Sequence, residues 1–141
     1  SFSGSQMQEQ KLKKLKVQAP DDRLLNKVMK VINDNLGNPD LNVEMIATEV
    51  GISRVHLHRK LKELTNQSTR DLIRNVRLKQ AASLLANQYH NITEVASLTG
   101  FTNIAYFSTA FKELYGVPPT SYMEEQQKSS FSDGDKIEQQ N

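Results

Sequence analysis

An internal repeat constrains the fold of this chain more than any other feature. The segment MIATEVGISRVHLHRKLKEL, residues 45–64, recurs as EVASLTGFTNIAYFSTAFKEL, residues 94–114. Matching positions lie 49 residues apart up to the central glycine and 50 apart after it, so one extra residue falls in or just after the second turn. A two-copy repeat is far more specific than either copy alone. It predicts two copies of a unit made of a helix, a glycine turn and a second helix.

The first copy carries clear signals for where its helices begin and end. Asn42 can cap a helix over about 43–50, and Gly51 follows at a position that favours a positive φ angle. Ser53 is a suitable N-cap for a second helix over about 54–64, whose leucines repeat at the spacing of one buried face. A helix–turn–helix of this kind places its second helix in the major groove of DNA.

The segments around the repeat complete an all-α architecture of about seven helices. A first helix is expected from Asp21 or Asp22 to Gly37, and a short last helix from Pro118 and Pro119. Ser68 opens the longest helix, about 69–86, which spans roughly 27 Å. We therefore expect one helix-turn-helix subdomain over 21–66, a linker helix over 67–88 and a second subdomain over 89–123. Residues 1–20 are expected to form a flexible basic linker that includes leading residues from cloning, and residues 124–141 a disordered acidic tail.

The charges are unevenly distributed along the chain. Between residues 54 and 79 there are eight basic and two acidic residues, a net charge of +6, whereas residues 124–141 hold two basic and five acidic ones, a net charge of −3. A basic middle with an acidic tail indicates a polyanionic partner for the middle, although a solvated helical surface gives the same pattern.

Two stretches resemble the DNA-binding domain of the AraC/XylS family of bacterial transcription regulators. They are GFTNIAYFSTAFKELYGVPPTSY, residues 100–122, and RNVRLKQAASLL, residues 74–85; the resemblance as a whole covers about 24–122. It implies two helix-turn-helix subdomains joined by a long helix, binding to double-stranded promoter DNA as a monomer or dimer, and RNA polymerase as a further partner.

Residues 21–47 are similar to members that end hybrid two-component sensors of glycan utilisation. This resemblance, with the missing initiator Met, implies a fragment of a longer protein with upstream sensor and receiver domains. The fragment is expected in the cytoplasm, because a chain without cysteine suits a reducing compartment. It is expected to make no membrane contact, because no apolar run approaches the ~20 residues of a membrane span. If the full-length protein is a hybrid sensor, it can be membrane-anchored.

The first helix-turn-helix offers the stronger candidates for reading bases. Arg59 is expected to bind a guanine, because a guanidinium matches O6 and N7 with two hydrogen bonds. His58 could donate to a base or a phosphate, and Val55 could contact a thymine methyl group or pack under the neighbouring helix. Ser53 and Arg54 at the helix start are expected to hold phosphate. Lys62 is assigned to phosphate as well.

The second helix-turn-helix, with a recognition helix over about 103–115, has weaker candidates. Its base-contacting candidates are Ile104, Ala105, Ser108 and Thr109. Asn103 and Lys112 are assigned to the phosphate backbone. Many members of the family carry arginine where Thr109 stands. We therefore expect shape, methyl and phosphate contacts, and less sequence discrimination in this half-site.

The sequence lacks the motifs of several other functions. No glycine-rich phosphate loop, nucleophile elbow or paired-carboxylate cleft is present, so neither an enzyme nor a cofactor is expected. His56 and His58 point to different faces of their helix, which argues against a metal site with His90. An all-helical protein-interaction module and a non-specific nucleic-acid binder remain as alternatives.

The aromatic residues repeat at helical spacing, which favours a hydrophobic core over a platform for stacking bases. These residues are Phe101, Tyr106, Phe107, Phe111, Tyr115 and Tyr122.

Overall fold

The computed structural model describes residues 19–87 and 90–139, with side chains up to residue 129. These residues form seven helices and no strand, as predicted. The helices are α1 (Pro20–Asp34), α2 (Val43–Val50), α3 (Arg54–Thr65), α4 (Thr69–Ala86), α5 (Ile92–Leu98), α6 (Ile104–Tyr115) and α7 (Pro119–Gln139). The predicted basic linker lies, up to residue 18, outside the described residues.

Side-chain caps define the start of five of these helices. In each one an Asn or Ser oxygen accepts a hydrogen bond, 2.8–3.1 Å long, from the backbone amide three residues further on. Such a bond satisfies one of the free amides of the first turn. The capping residues are Asn42, Ser53, Ser68, Asn91 and Asn103. The caps predicted at Asn42, Ser53 and Ser68 are confirmed.

The two glycine turns differ by the one residue that the repeat predicts. Gly51 and Gly100 both have positive φ angles, 78° and 86°. Two residues separate Gly51 from α3, and three separate Gly100 from α6. The extra residue therefore lies between the turn glycine and the capping residue of α6.

The long helix α4 belongs to two hydrophobic cores. Its first half contributes Leu72 and Ile73 to a core shared with α1, α2 and α3. Its second half contributes Leu78 and Leu85, among others, to a core shared with α5 and α6. Each helix-turn-helix thus has its own core, and α4 connects the two.

Helix α1 differs from the prediction at both ends. It begins at Pro20, because proline is well suited to the first helical position. It ends at Asp34 rather than Gly37, because Asn35 leaves the helical conformation, with a φ angle of −121°. The side-chain amide of Asn35 donates to the carbonyl oxygen of Val31 at 2.8 Å and closes this helix end.

The predicted short last helix is wrong. Helix α7 continues to Gln139, through most of the segment that was expected to be a disordered acidic tail. The run MEEQQK, residues 123–128, consists of residues with high helix propensity, which favours this continuation. The start of α7 packs as expected, because the ring of Tyr122 lies edge-on to Phe111 with centroids 5.3 Å apart.

The aromatic residues do not all belong to the core. Phe107 and Phe111 are fully buried, and Phe101, Tyr115 and Tyr122 are half-buried. Tyr106 is 46% exposed, so its assignment to the core is wrong. It neighbours the buried Phe107 on α6, and adjacent residues of a helix point in different directions.

Candidate nucleic-acid interface

Helix α3 is buried on one side and open on the other. Leu57 and Leu61 are completely buried in the first core. The opposite side, called the first reading face here, carries residues at positions i, i+3, i+4 and i+7, which share one side of a helix. These residues are Val55, His58, Arg59 and Lys62. The core therefore holds the helix from behind while this face stays open to a ligand.

Val55 is 77% exposed. This exposure removes the alternative that Val55 packs under a neighbouring helix. A valine side chain held in water at the start of a basic helix suits an apolar contact with a partner, such as a thymine methyl group. Arg59, one turn further along the helix, is also exposed and is free of the ion pairs found elsewhere on the described surface.

His58 is partly committed to the fold. Its Nδ1 lies 3.1 Å from the hydroxyl oxygen of Thr69, a completely buried residue in the first turn of α4. If Nδ1 accepts from this hydroxyl, the proton of a neutral imidazole lies on Nε2. Nε2 is then the nitrogen that remains for a base or phosphate, and the contact with Thr69 fixes the orientation of the ring.

The three phosphate candidates of the first motif make local contacts. The Ser53 hydroxyl accepts from the backbone amide of His56 at 3.1 Å, so its side chain acts as the helix cap. Arg54 lies 3.6 Å from Glu44, and both side chains are more than half exposed. Lys62 donates to the carbonyl oxygen of Asn66 at 3.4 Å. An exposed ion pair contributes at most about 1 kcal/mol, so Arg54 can leave Glu44 for a phosphate.

Helix α6 presents the second reading face: Ile104, Ala105, Ser108, Thr109 and Lys112. Ile104 is 44% exposed, Ser108 is half-buried, and the other three are exposed. The Thr109 hydroxyl donates to the carbonyl oxygen of Ala105 at 3.0 Å. Because this hydroxyl proton is already used, Thr109 offers mainly its methyl group to a partner.

A groove of about 260 Å³ lies between the two helix-turn-helix units. One wall is formed by Arg70 and Arg74 of α4, and the other by Asn103 and Tyr106 at the start of α6. Arg74 lies 3.4 Å from Asp71, and both side chains are partly exposed. In the sequence these arginines stood out only as part of the net charge of residues 54–79. In the structure they line a groove between the two helix-turn-helix units.

Arg77 does not belong to this exposed charge. It is 6% exposed, so its inclusion in the basic surface is a correction to the charge count. Burial lowers the pKa of its guanidinium, although an arginine remains protonated in proteins. Its spacing gave a signal, because Ile73, Arg77 and Ala81 fall at successive i, i+4 positions on the buried side of α4.

In the described part of the chain, no group of three His, Cys, Asp or Glu side chains is placed to hold a metal ion. His90, a member of the metal site considered above, lies 3.1 Å from Glu94. Within the same residues no helix is long and apolar enough to cross a membrane.

Several known proteins are similar to this chain in sequence. A family model described as a helix-turn-helix domain matches residues 46–125. Histidine kinase P4 of Formosa agariphila is 35% identical over 102 residues, 72% of this chain but only 7% of the kinase. An uncharacterized helix-turn-helix transcriptional regulator in the cgkA 5' region of Pseudoalteromonas carrageenovora is 33% identical over 128 residues, 91% of this chain and 70% of that protein. Several further relatives are matched over 21% to 37% of their length.

A solved structure agrees with the fold. The C-terminal domain of AraT, a response regulator from Geobacillus stearothermophilus, superimposes with a TM-score of 0.67 and 31% identity, covering 76% of this chain and 86% of that one.

Proposed function

The chain belongs to the AraC family of helix-turn-helix DNA-binding domains of transcription regulators, and from this premise we propose that its two reading faces bind successive major grooves of one promoter. Grooves on one side of B-DNA repeat every ~34 Å, and the connecting helix α4 spans roughly 27 Å. The site is then asymmetric and about two turns long per protomer. A modest bend of the DNA would close the remaining gap.

The exposure of Val55 is the observation that carries this proposal. An apolar side chain that is 77% exposed gains most from a partner that removes it from water. In the major groove this partner is the C5-methyl group of thymine. Arg59, on the same face, reads an adjacent guanine, and His58 donates through the ring nitrogen that Thr69 does not contact.

The second reading face has a smaller share in sequence discrimination. Ile104 and Ala105 supply apolar contacts, while Ser108 and Thr109 supply short side chains that favour shape fit over base-specific bonds. Lys112 and the side-chain amide of Asn103 bind the backbone. The first half-site then discriminates between bases more strongly than the second.

The groove between the units takes the phosphates that connect the two major grooves. Arg70 and Arg74 supply positive charge there, and Asn103 and Tyr106 supply hydrogen-bonding groups from the other wall. Together with Ser53, Arg54 and Lys62 they set the register of the protein on the duplex without reading sequence. A protein-interaction module would give no reason for a groove lined by two arginines between two repeated helix-turn-helix units.

The wider context of the domain is part of the proposal. The match to the C-terminal domain of a response regulator and the similarity to a histidine kinase support an output domain downstream of sensor and receiver domains. The resemblance of residues 21–47 favours control of glycan utilisation. In this setting the domain works in the cytoplasm on promoter DNA and contacts RNA polymerase.

A thymine-to-uracil scan tests the contact at Val55. Uracil lacks the methyl group, so one substitution in the first half-site should weaken wild-type binding by about 1 kcal/mol. The same substitution should weaken binding of a Val55→Ala variant less. Leu98→Ala is the matched control, because Leu98 is 50% exposed but lies outside the reading faces. If no thymine in the site shows this dependence on Val55, the proposed orientation of α3 in the groove is wrong.

A further inference from the structure

Arg77 joins both helix-turn-helix units from the middle of the helix that connects them. One guanidinium nitrogen donates to the carbonyl oxygens of Thr99, at 2.7 Å, and of Leu36. The other donates to the carbonyl oxygen of Asn38 at 2.8 Å. Leu36 and Asn38 follow α1 of the first unit, and Thr99 precedes the glycine turn of the second. The planar guanidinium of Arg77 thus binds loops of both helix-turn-helix units, each of which has its own core.

The turn glycine of the second unit is fitted to this contact. A Cβ atom added to Gly100 would overlap the guanidinium of Arg77 and the carbonyl oxygen of Leu36. At Gly51, the equivalent glycine of the first unit, an added Cβ would meet nothing within 4 Å. Both glycines have positive φ angles, so the backbone strain of an alanine would be similar at the two positions. A larger effect of alanine at Gly100 than at Gly51 would therefore report the contact with Arg77 and Leu36.

We propose that Arg77 is a positioning residue for DNA binding, and that its contacts fix the separation of the two reading faces and so the spacing of half-sites that the domain accepts. This inference rests on the proposed function. Once the first reading face is bound, the second reading face meets its half-site on the same DNA at a high effective concentration. With a fixed separation of the two faces, this holds only when the spacing of the half-sites equals that separation. A loose connection would accept several spacings and would bind each of them more weakly.

Distance measurements test the contact without DNA. The chain has no cysteine, so Glu63→Cys and Glu113→Cys, at exposed and equivalent positions of the two units, allow paired spin labels. Electron–electron distance distributions should be narrow in the wild type and in Gly51→Ala, and broad in Arg77→Lys and Gly100→Ala. A lysine keeps the charge but loses the fork that reaches three carbonyl groups. Unchanged distributions in both variants would overturn the proposal.

Binding to DNA with altered spacing between the half-sites tests whether Arg77 fixes the spacing that the domain accepts. DNA with one or two base pairs inserted between the half-sites should bind the wild type and Gly51→Ala about tenfold more weakly than uninterrupted DNA. Arg77→Lys and Gly100→Ala should lose less than about threefold on the same DNA. Arg77→Lys and Gly100→Ala should bind an isolated first half-site as tightly as the wild type. If Arg77→Lys or Gly100→Ala loses binding to the isolated half-site, or keeps the wild-type dependence on spacing, the proposal is wrong. If wild-type protein selects no bipartite site, the proposed function fails, while the distance measurement still decides the contact.

Discussion

The imidazole Nδ1 of His58 and the buried hydroxyl of Thr69 lie 3.1 Å apart. Their contact joins the first reading face on α3 to the first turn of α4. It links a half-buried side chain of the reading face to one that is completely buried in the fold. The position of the ring on the reading face is therefore set by the packing of α4 against α3.

Replacing Thr69 by valine tests this relationship. Thr69→Val should lower the free energy of unfolding by about 1 kcal/mol, because it leaves Nδ1 of His58 without its partner. It should also weaken discrimination at the base pair beside the imidazole, measured by binding to single-base variants of the site. Thr69→Ser keeps the hydroxyl and should restore discrimination. If discrimination is unchanged in Thr69→Val, the contact has no role in recognition.

The second reading face should accept a stronger base reader. Thr109 occupies the position equivalent to Arg59 and is exposed. Thr109→Arg should therefore add a preference for guanine worth about 1–3 kcal/mol at one base pair of the second half-site. Thr109→Val is the control and should bind like the wild type, because the lost hydroxyl contacts Ala105 of its own helix. If Thr109→Arg binds all DNA sequences more tightly by the same factor, the new arginine binds phosphate, and the predicted position of α6 in the major groove is wrong.

The groove arginines should contribute through charge alone. The double substitution of Arg70 and Arg74 by alanine should reduce the slope of log affinity against log salt concentration by about 2, since each phosphate contact contributes ~0.9. Base preference should be unchanged. The matched control removes two exposed charges from α1, with Arg23→Ala and Lys27→Ala. A slope equal to that of the control would exclude the groove as a backbone site.

Asn103 combines a structural and a binding role, which two substitutions separate. Its Oδ1 accepts from the amide of Tyr106 at 3.0 Å, and both serine and aspartate can keep this cap. Thermal unfolding of Asn103→Asp and Asn103→Ser should therefore resemble the wild type. Only Asn103→Asp places a negative charge near a phosphate, so its DNA affinity should fall well below that of Asn103→Ser. Equal affinities would place Asn103 away from the backbone.

The parts of the fold that depend on local chemistry follow from the sequence. The bounds of α2 and α4 agree with the prediction, because a capping side chain and, after α2, a glycine with positive φ mark their ends. The reading faces follow from helical spacing, because leucines that fill one side of α3 leave Val55 and Arg59 on the other. Whether these side chains contact DNA stays a prediction.

The parts that depend on distant contacts do not follow from the sequence. The burial of Arg77 requires three carbonyl groups, 22 to 41 residues away along the chain, to converge on one guanidinium. The orientation of His58 depends on Thr69, in the next helix. The length of α7 was missed for another reason, since an acidic and glutamine-rich composition fits a helix as well as a disordered segment.

Sequence selection from a random duplex pool, followed by binding of the winning site to wild type and to Arg59→Ala across a salt series, tests the central claim most directly. We predict an asymmetric site of about two turns, and a loss of ~1–3 kcal/mol in the variant with relaxed preference at one base pair. Arg23→Ala, an exposed arginine of α1, should show neither effect. No enriched site, with binding that disappears as salt rises and is equal for both variants, would contradict sequence-specific reading by α3.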